Sequence, residues 1–283
     1  MRLFNKVAIV GTGLIGGSLA LAIKKKRLAR QVIGVSRHKK NLLLARKRGA
    51  IDKGSVKLGV IKDADLVVLA MPVDVIMDSA AAISKIVRSE CLVIDVGSTK
   101  EEIVLRLEKL FPNYIGTHPL AGSEKRSIAY ADPDIFNDSV CVLTPTKNTK
   151  NKALNKIKKL WTNVGAKVVL LTPQMHDKIL SFTSHLPHIA AFSLMNAVPS
   201  KHFGLQATGL RDTTRIAASD SALWTSIFLS NRKNLLEAIN SLQKELSWVK
   251  LAIQRNNKKS LSVILKKAKT KRSELEKSQI QIR

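Results

Sequence analysis

Three groups of polar residues stand where this chain could do chemistry. Ser98 follows the apolar run at residues 91–96, and His118-Pro119-Leu120-Ala121-Gly122-Ser123-Glu124 follows the run at 114–116. Farther on, Ser184-His185-Leu186-Pro187-His188 sets two histidines three apart, on one face of a helix that Pro187 should kink. Arg211-Asp212-Thr213-Thr214-Arg215 then sets two arginines four apart. A histidine at a strand end and an arginine from a second domain suit the removal of hydride from an anionic alcohol. The imidazole takes the hydroxyl proton, and the guanidinium holds a carboxylate through charge-assisted bonds. Arg215 could instead pair with Asp212 or Asp220, and Arg211 is better placed to support the fold than to touch substrate.

Hydride needs an acceptor, and the N-terminus supplies a place for one. A short β-branched run at residues 6–10 leads directly into Gly11-Thr12-Gly13-Leu14-Ile15-Gly16-Gly17. An amphipathic helix follows, then a second strand at 31–35. G-x-G-x-x-G is weak alone, but strand, turn, helix and strand in this order form a dinucleotide fingerprint. Gly11 permits the tight turn, Gly13 leaves room for a pyrophosphate, and Gly16 lets helix and strand approach closely. The helix N-terminus offers unpaired N–H groups to the phosphates. Cofactor contacts are expected at Gly11, Gly13, Leu14, Ile15, Gly16, Ser36, Arg37, Met71 and Ser98. NAD-binding domains usually end the second strand with Asp or Glu, but here Ser36-Arg37-His38-Lys39 occupies that place. Cations there can pair with a 2′-phosphate, so NADP is expected in preference to NAD. The alternative is that Arg37 only covers the adenine and either cofactor is accepted.

These residues must be positioned by alternating elements. Strands are expected at residues 6–10, 31–35, 64–70, 91–96, 114–116, 140–143 and 167–171. Helices are expected after the glycine turn and at 41–49, 74–86 and 150–161. Continuous apolar strands imply a parallel sheet covered on both faces. The alternation stops at Thr172-Pro173, an N-cap followed by proline at the first helical position. From there the periodicity is helical. The expected architecture is an α/β Rossmann-type N-terminal domain, residues 1–171, and an all-α C-terminal domain, residues 172–283. The basic helix at 261–283 should pack on a neighbouring helix or a partner subunit.

Composition narrows the classes further. The formal net charge of +27 over 283 residues invites a nucleic-acid reading. Yet the Lys and Arg residues are dispersed, and aromatics make up only 4 %, too few for stacking platforms. A lysine-rich solvated surface that draws in anionic ligands is the expected reading. No nucleic-acid partner, no metal and no membrane span are expected. Cys91 and Cys141 read as buried small hydrophobes in a reducing cytoplasm. A non-catalytic NADP-sensing or nucleic-acid-binding protein is the rival of a different class; salt-dependent DNA retention without substrate-dependent reduction of cofactor would mark it.

Taken together, residues 7–17, Asp95-Val96-Gly97-Ser98-Thr99-Lys100, Gly116-Thr117 with the segment from His118 to Glu124, residues 184–188, and residues 209–220 with Trp224 resemble the prephenate and arogenate dehydrogenases of tyrosine biosynthesis. The motifs occur in the family's order over roughly residues 5–245. The H-P-x-A-G-x-E and R-D-x-T-R-I-A stretches are the specific ones. The resemblance implies a helical second domain that builds a homodimer. It also implies oxidative decarboxylation of prephenate, with hydride passing to NAD(P)⁺. His118 then matches the catalytic base, Ser98 orients it or the substrate hydroxyl, and Arg215 grips the ring carboxylate. His188, with His185 behind it, meets the side-chain end of the substrate, with Ser123 and Glu124 nearby, and Trp224 comes from the partner subunit to close the site. Ser123 stands where the family often has Thr, and Arg211 where it often has Lys. Glu124 could favour the ammonium of arogenate, so arogenate dehydrogenase stays the alternative to prephenate dehydrogenase. A β-hydroxyacid dehydrogenase would use a catalytic lysine that has no counterpart here. No further catalytic or regulatory domain is expected after the dimer helices.

Overall fold

A computed structural model describes residues 2–122 and 127–281. Strand β1 (Phe4–Val10) runs into the glycine turn and helix α1 (Leu14–Lys25), and β2 (Ala29–Val35) and α2 (Lys39–Lys47) follow. A short β3 (Lys53–Ser55) precedes β4 (Leu66–Leu69), α3 (Val73–Ser84), β5 (Leu92–Asp95), α4 (Glu101–Leu107) and β6 (Tyr114–Pro119). Then come β7 (Val140–Thr144), α5 (Asn151–Asn163) and β8 (Lys167–Leu170). The sheet order is β3-β2-β1-β4-β5-β6-β7-β8.

Side chains alternate across a strand, so a sheet covered on both faces buries both sets. Val7 and Ile9 of β1 pack with Leu19 and Ile23 of α1. Ala8 and Val10 pack with Val67, Ile76 and Ile103 on the opposite face. Each fully buried Ile or Val contributes roughly 1.5–3 kcal/mol by leaving water. The chain moves outward from β1 to β2 and then crosses back to β4. Beyond the carboxyl ends of β1 and β4, this change of direction opens the crevice where ligands bind in such sheets.

The expectation of a wholly parallel sheet needs correction. The β6–β7 pair is antiparallel, with His118 opposite Val142 and Pro119 opposite Cys141. Parallel pairing would need a crossover back to the other end of the sheet. Between β6 and β7 the described residues hold only a short 3₁₀ turn, Ile128–Tyr130, so the chain re-enters from the end it left. Helix α5 then provides a true crossover, and β8 pairs parallel to β7. The short edge strand β3 and the seven-residue α4 are absent from the sequence expectation.

After β8 the described elements are helical. Thr172 caps α6 (Pro173–Leu180), its hydroxyl accepting from Met175 N at 3.1 Å with Pro173 at the first turn. A π-helical turn, Ser181–His185, joins α6 to α7 (Leu186–Ala197). Pro187 has no N–H for the carbonyl four residues back, and its ring would crowd that carbonyl. The widened turn just before it accommodates the proline. Helices α8 (Thr208–Thr214), α9 (Ser221–Ser230), α10 (Arg232–Gln254) and α11 (Lys258–Gln281) complete the chain. It divides into two compact units, Met1–Arg232 and Lys233–Arg283. The second consists of most of α10 and all of α11, with Asn256 at a positive φ of 46° between them.

Candidate active site

A cleft of about 640 Å³ lies at the carboxyl ends of β1, β4, β5 and β6, within the first unit. One wall is the dinucleotide-type turn. Gly11 has φ +102°, and an added Cβ there would collide with the Ala70 carbonyl oxygen. A Cβ on Gly16 would strike the Gly11 carbonyl oxygen and come within 2.8 Å of Ala70 Cβ. Gly13, by contrast, faces open space and lines the cleft with Leu14, Ile15, Met71 and Ser98. It is also the N-cap of α1 and provides no side-chain hydrogen bond, so the first-turn amides remain free to meet an anion. A narrow cradle with an uncapped helix end fits a pyrophosphate. Ser36 and Arg37 follow β2 at the surface, adjoining the turn through the bond from Gly11 N to Val35 O (2.9 Å).

The opposite wall carries the reactive polar groups. His118 sits on β6, paired with β7 on one side, and its ring lines the cleft. Burial, then the neighbouring His176, Lys100 and His185, hold its pKa well below the ordinary histidine range. The ring is therefore neutral at neutral pH and can accept a proton. Ser98 reaches the same cleft from the turn after β5. That turn is pinned by Asp95, which is fully buried and ion-paired with the fully buried Lys100. Asp95 also accepts from Tyr114 Oη at 2.7 Å and Gly97 N at 2.8 Å.

His185, His188, Arg215 and Trp224 line the cleft from the helical side. His185, on the π turn, accepts from Asn231 Nδ2 at 3.2 Å, and burial pushes its pKa down to about 4. His188 donates from Nδ1 to Ser184 O at 2.9 Å and stacks on Trp224 with centroids 3.5 Å apart. Burial and the nearby Arg215 charge lower its pKa. Arg215 opens a 3₁₀ turn, Arg215–Ala218, just after α8, while Arg211 stays exposed on α8 itself. Trp224 was expected from a partner subunit; here the ring on His188 is the chain's own. Ser123 and Glu124 lie outside the described residues.

Two residues that sequence reasoning missed stand behind His118. Its Nδ1 is 2.8 Å from His176 Nε2, and His176 Nδ1 is 2.7 Å from Asp177 Oδ1. Both lie in the first turns of α6 and are essentially inaccessible. The available signal was the Thr172-Pro173 helix start, which turns His176 and Leu180 to one face. No group of His, Cys, Asp and Glu among the described residues could hold a metal. Nor is any described helix long and apolar enough to cross a membrane.

Residues 19–170 match the nucleotide-binding domain of prephenate dehydrogenase, and residues 172–267 match its dimerization domain. The chain belongs to the prephenate dehydrogenase family. It is similar to the prephenate dehydrogenase of Bacillus subtilis (strain 168), 34 % identical over 96 % of this chain and 76 % of that protein. The prephenate dehydrogenase of A. aeolicus, solved in complex with hydroxyphenyl propionate and NAD⁺, superposes with a TM-score of 0.91 at 33 % identity. The match covers 96 % of this chain and 98 % of that one. The Synechocystis arogenate dehydrogenase superposes with a TM-score of 0.82 at 27 % identity, over 95 % and 99 %. Solved proteins named for different substrates thus share this fold.

Proposed function

We propose that this protein is a nicotinamide-dependent prephenate dehydrogenase, converting prephenate to 4-hydroxyphenylpyruvate and CO₂. The observation that carries the reading is one cleft holding a dinucleotide cradle, a neutral, half-buried imidazole and an arginine. When bound, the nicotinamide would take hydride from the ring carbon that bears the hydroxyl. His118 would accept the hydroxyl proton as that carbon becomes a carbonyl, and Ser98 would hold the hydroxyl toward it. General-base assistance of this kind is worth roughly 10²–10⁴ in rate. Arg215 would hold the ring carboxylate, whose C–C bond then breaks to release CO₂; its electrons aromatise the ring and pass to the carbonyl oxygen, which would recover the proton from His118 as the product's hydroxyl. His188, fixed by Ser184 and Trp224, would meet the side-chain end of the substrate, with His185 supporting it.

Within this reading the cofactor is NADP in preference to NAD. Support comes from exposed Arg37, His38 and Lys39 beyond β2, with no carboxylate between Ser36 and Arg48. The substrate domain begins at Thr172, and the assembly is a homodimer. Leu246, Trp248, Leu251, Val263 and Leu265 of α10 and α11 expose apolar surface that a second copy would cover.

One assay addresses both substrate and cofactor: purified protein with prephenate or arogenate and with either cofactor, following absorbance of the reduced nicotinamide. Prephenate-dependent reduction of NADP is expected. A tenfold higher kcat/KM with NAD would overturn the cofactor preference, and turnover of arogenate alone would move the protein to the arogenate dehydrogenases.

A further inference from the structure

The chain of contacts behind His118 has a direction, and the direction decides which ring nitrogen is available for chemistry. Asp177 is the fixed end. Its Oδ1 accepts from Lys100 N at 2.7 Å, and its Oδ2 accepts from Glu101 N at 2.9 Å, at the start of α4. Backbone N–H groups can only donate, so both oxygens are committed as acceptors. The 2.7 Å contact between His176 Nδ1 and Asp177 Oδ1 is therefore one in which the ring donates. A neutral imidazole carries one proton, and His176 is neutral because burial lowers its pKa despite the Asp177 bond. With the proton on Nδ1, His176 Nε2 can only accept. Its 2.8 Å partner, His118 Nδ1, must then be the donor.

We propose that His176 is a positioning residue that, anchored by Asp177, fixes His118 as the Nδ1–H tautomer and leaves His118 Nε2 as the lone pair that takes the substrate's hydroxyl proton. The two rings meet edge to face, with centroids 5.1 Å apart and planes at 60°, so the contact sets the orientation of His118 as well as its tautomer. The other ionisable groups around the pair are Lys100, which is bonded to Asp95, and His185, which is bonded to Asn231. Neither is a bonding partner of His118 Nδ1. Once His118 Nε2 gains the proton, both of its nitrogens donate, and the same His176 lone pair remains matched to Nδ1–H. No rearrangement behind the base is needed during the reaction.

This inference rests on the reading of His118 as the base, but its first test does not need substrate. Nitrogen-15 NMR of histidine-labelled protein at neutral pH reports the tautomer of each ring. His118 is expected as Nδ1–H in the unaltered protein and as a mixture or the reverse tautomer in His176→Leu. An Nε2–H His118 in the unaltered protein would overturn the proposal, whatever the enzyme's activity. The second test is kinetic. His176→Leu should lower kcat by at least about tenfold, with KM for prephenate and for the cofactor within about threefold. His176→Gln, whose side-chain oxygen can still accept from His118 Nδ1, should recover most of kcat. Equal kcat in the Leu and Gln variants, or a loss confined to KM, would sink the positioning role. If the unaltered protein shows the expected tautomer but does not turn over prephenate, the substrate reading fails and the tautomer assignment stands.

Discussion

At the scale of single residues, the site joins a proton acceptor and an anion holder that should separate cleanly in kinetics. His118→Ala is expected to lower kcat by at least about a hundredfold with little change in KM. Arg215→Ala should mainly raise KM for prephenate, by roughly 10- to 100-fold for loss of a charged hydrogen-bonding partner. Unchanged turnover in the first variant would refute the base assignment. Because the pKa of His118 is lowered in the free protein, kcat/KM should stay level as pH falls through 6.5, where an ordinary histidine is half protonated. A pH–rate profile checks this. His118, Ser98, His185, His188 and Arg215 could be picked out of the sequence because each sits in a polar cluster after an apolar run or at helical spacing, whereas Trp224 is legible only through the family resemblance. His176 and Asp177 could not. Their partners are 58 and 77 positions away, and nothing local distinguishes a histidine that braces a catalytic ring from one that fills a core.

At the scale of elements, the glycine turn and α1 act as one device, since Gly16 packs against the Gly11 carbonyl that the turn presents. Gly16→Ala inserts a methyl into a space already filled by backbone, and overpacking of this kind costs roughly 1–3 kcal/mol. Cofactor affinity measured by fluorescence titration should fall at least about tenfold, with a lower Tm. Unaltered cofactor binding would show that the turn is not part of the cradle. The long apolar strands and their crossover helices were readable because burial on both faces imposes a continuous signal. Strand β3 was not, because three edge residues, Lys53-Gly54-Ser55, carry no apolar pattern. The direction of β7 was hidden for another reason: a strand pairing either way presents the same side chains to the core. Only the connection decides it, and among its described residues there is just the 3₁₀ turn Ile128–Tyr130.

For the molecule as a whole, the buried neutral histidines make acid a destabiliser. His118, His176 and His185 all have pKa values below 6.5 in the folded chain. The unfolded chain therefore binds more protons as pH falls below 6.5, and stability is lost in that direction. It is fully present above the unfolded value. For His185, with its pKa near 4, the loss between pH 6.5 and 4 is on the order of 3 kcal/mol. Tm followed over that range should drop, and His185→Gln should reduce the slope. A Tm independent of pH there would contradict the burial of these rings as neutral species. The net charge of +27 adds self-repulsion in the same direction, since acid removes the few compensating carboxylates.

The π turn at Ser181–His185 has a consequence for how the two histidine groups came to face one cleft. Such a turn amounts to one extra residue inserted into an α-helix, where each residue advances the phase by about 100°. His176 lies before the insertion, and His188 lies after it. Deleting Thr183 would restore an even helical pitch and swing His188 by about that angle relative to the ring behind His118. The half of the site that meets the base and the half that meets the rest of the substrate are thus kept in register by a single residue's worth of backbone.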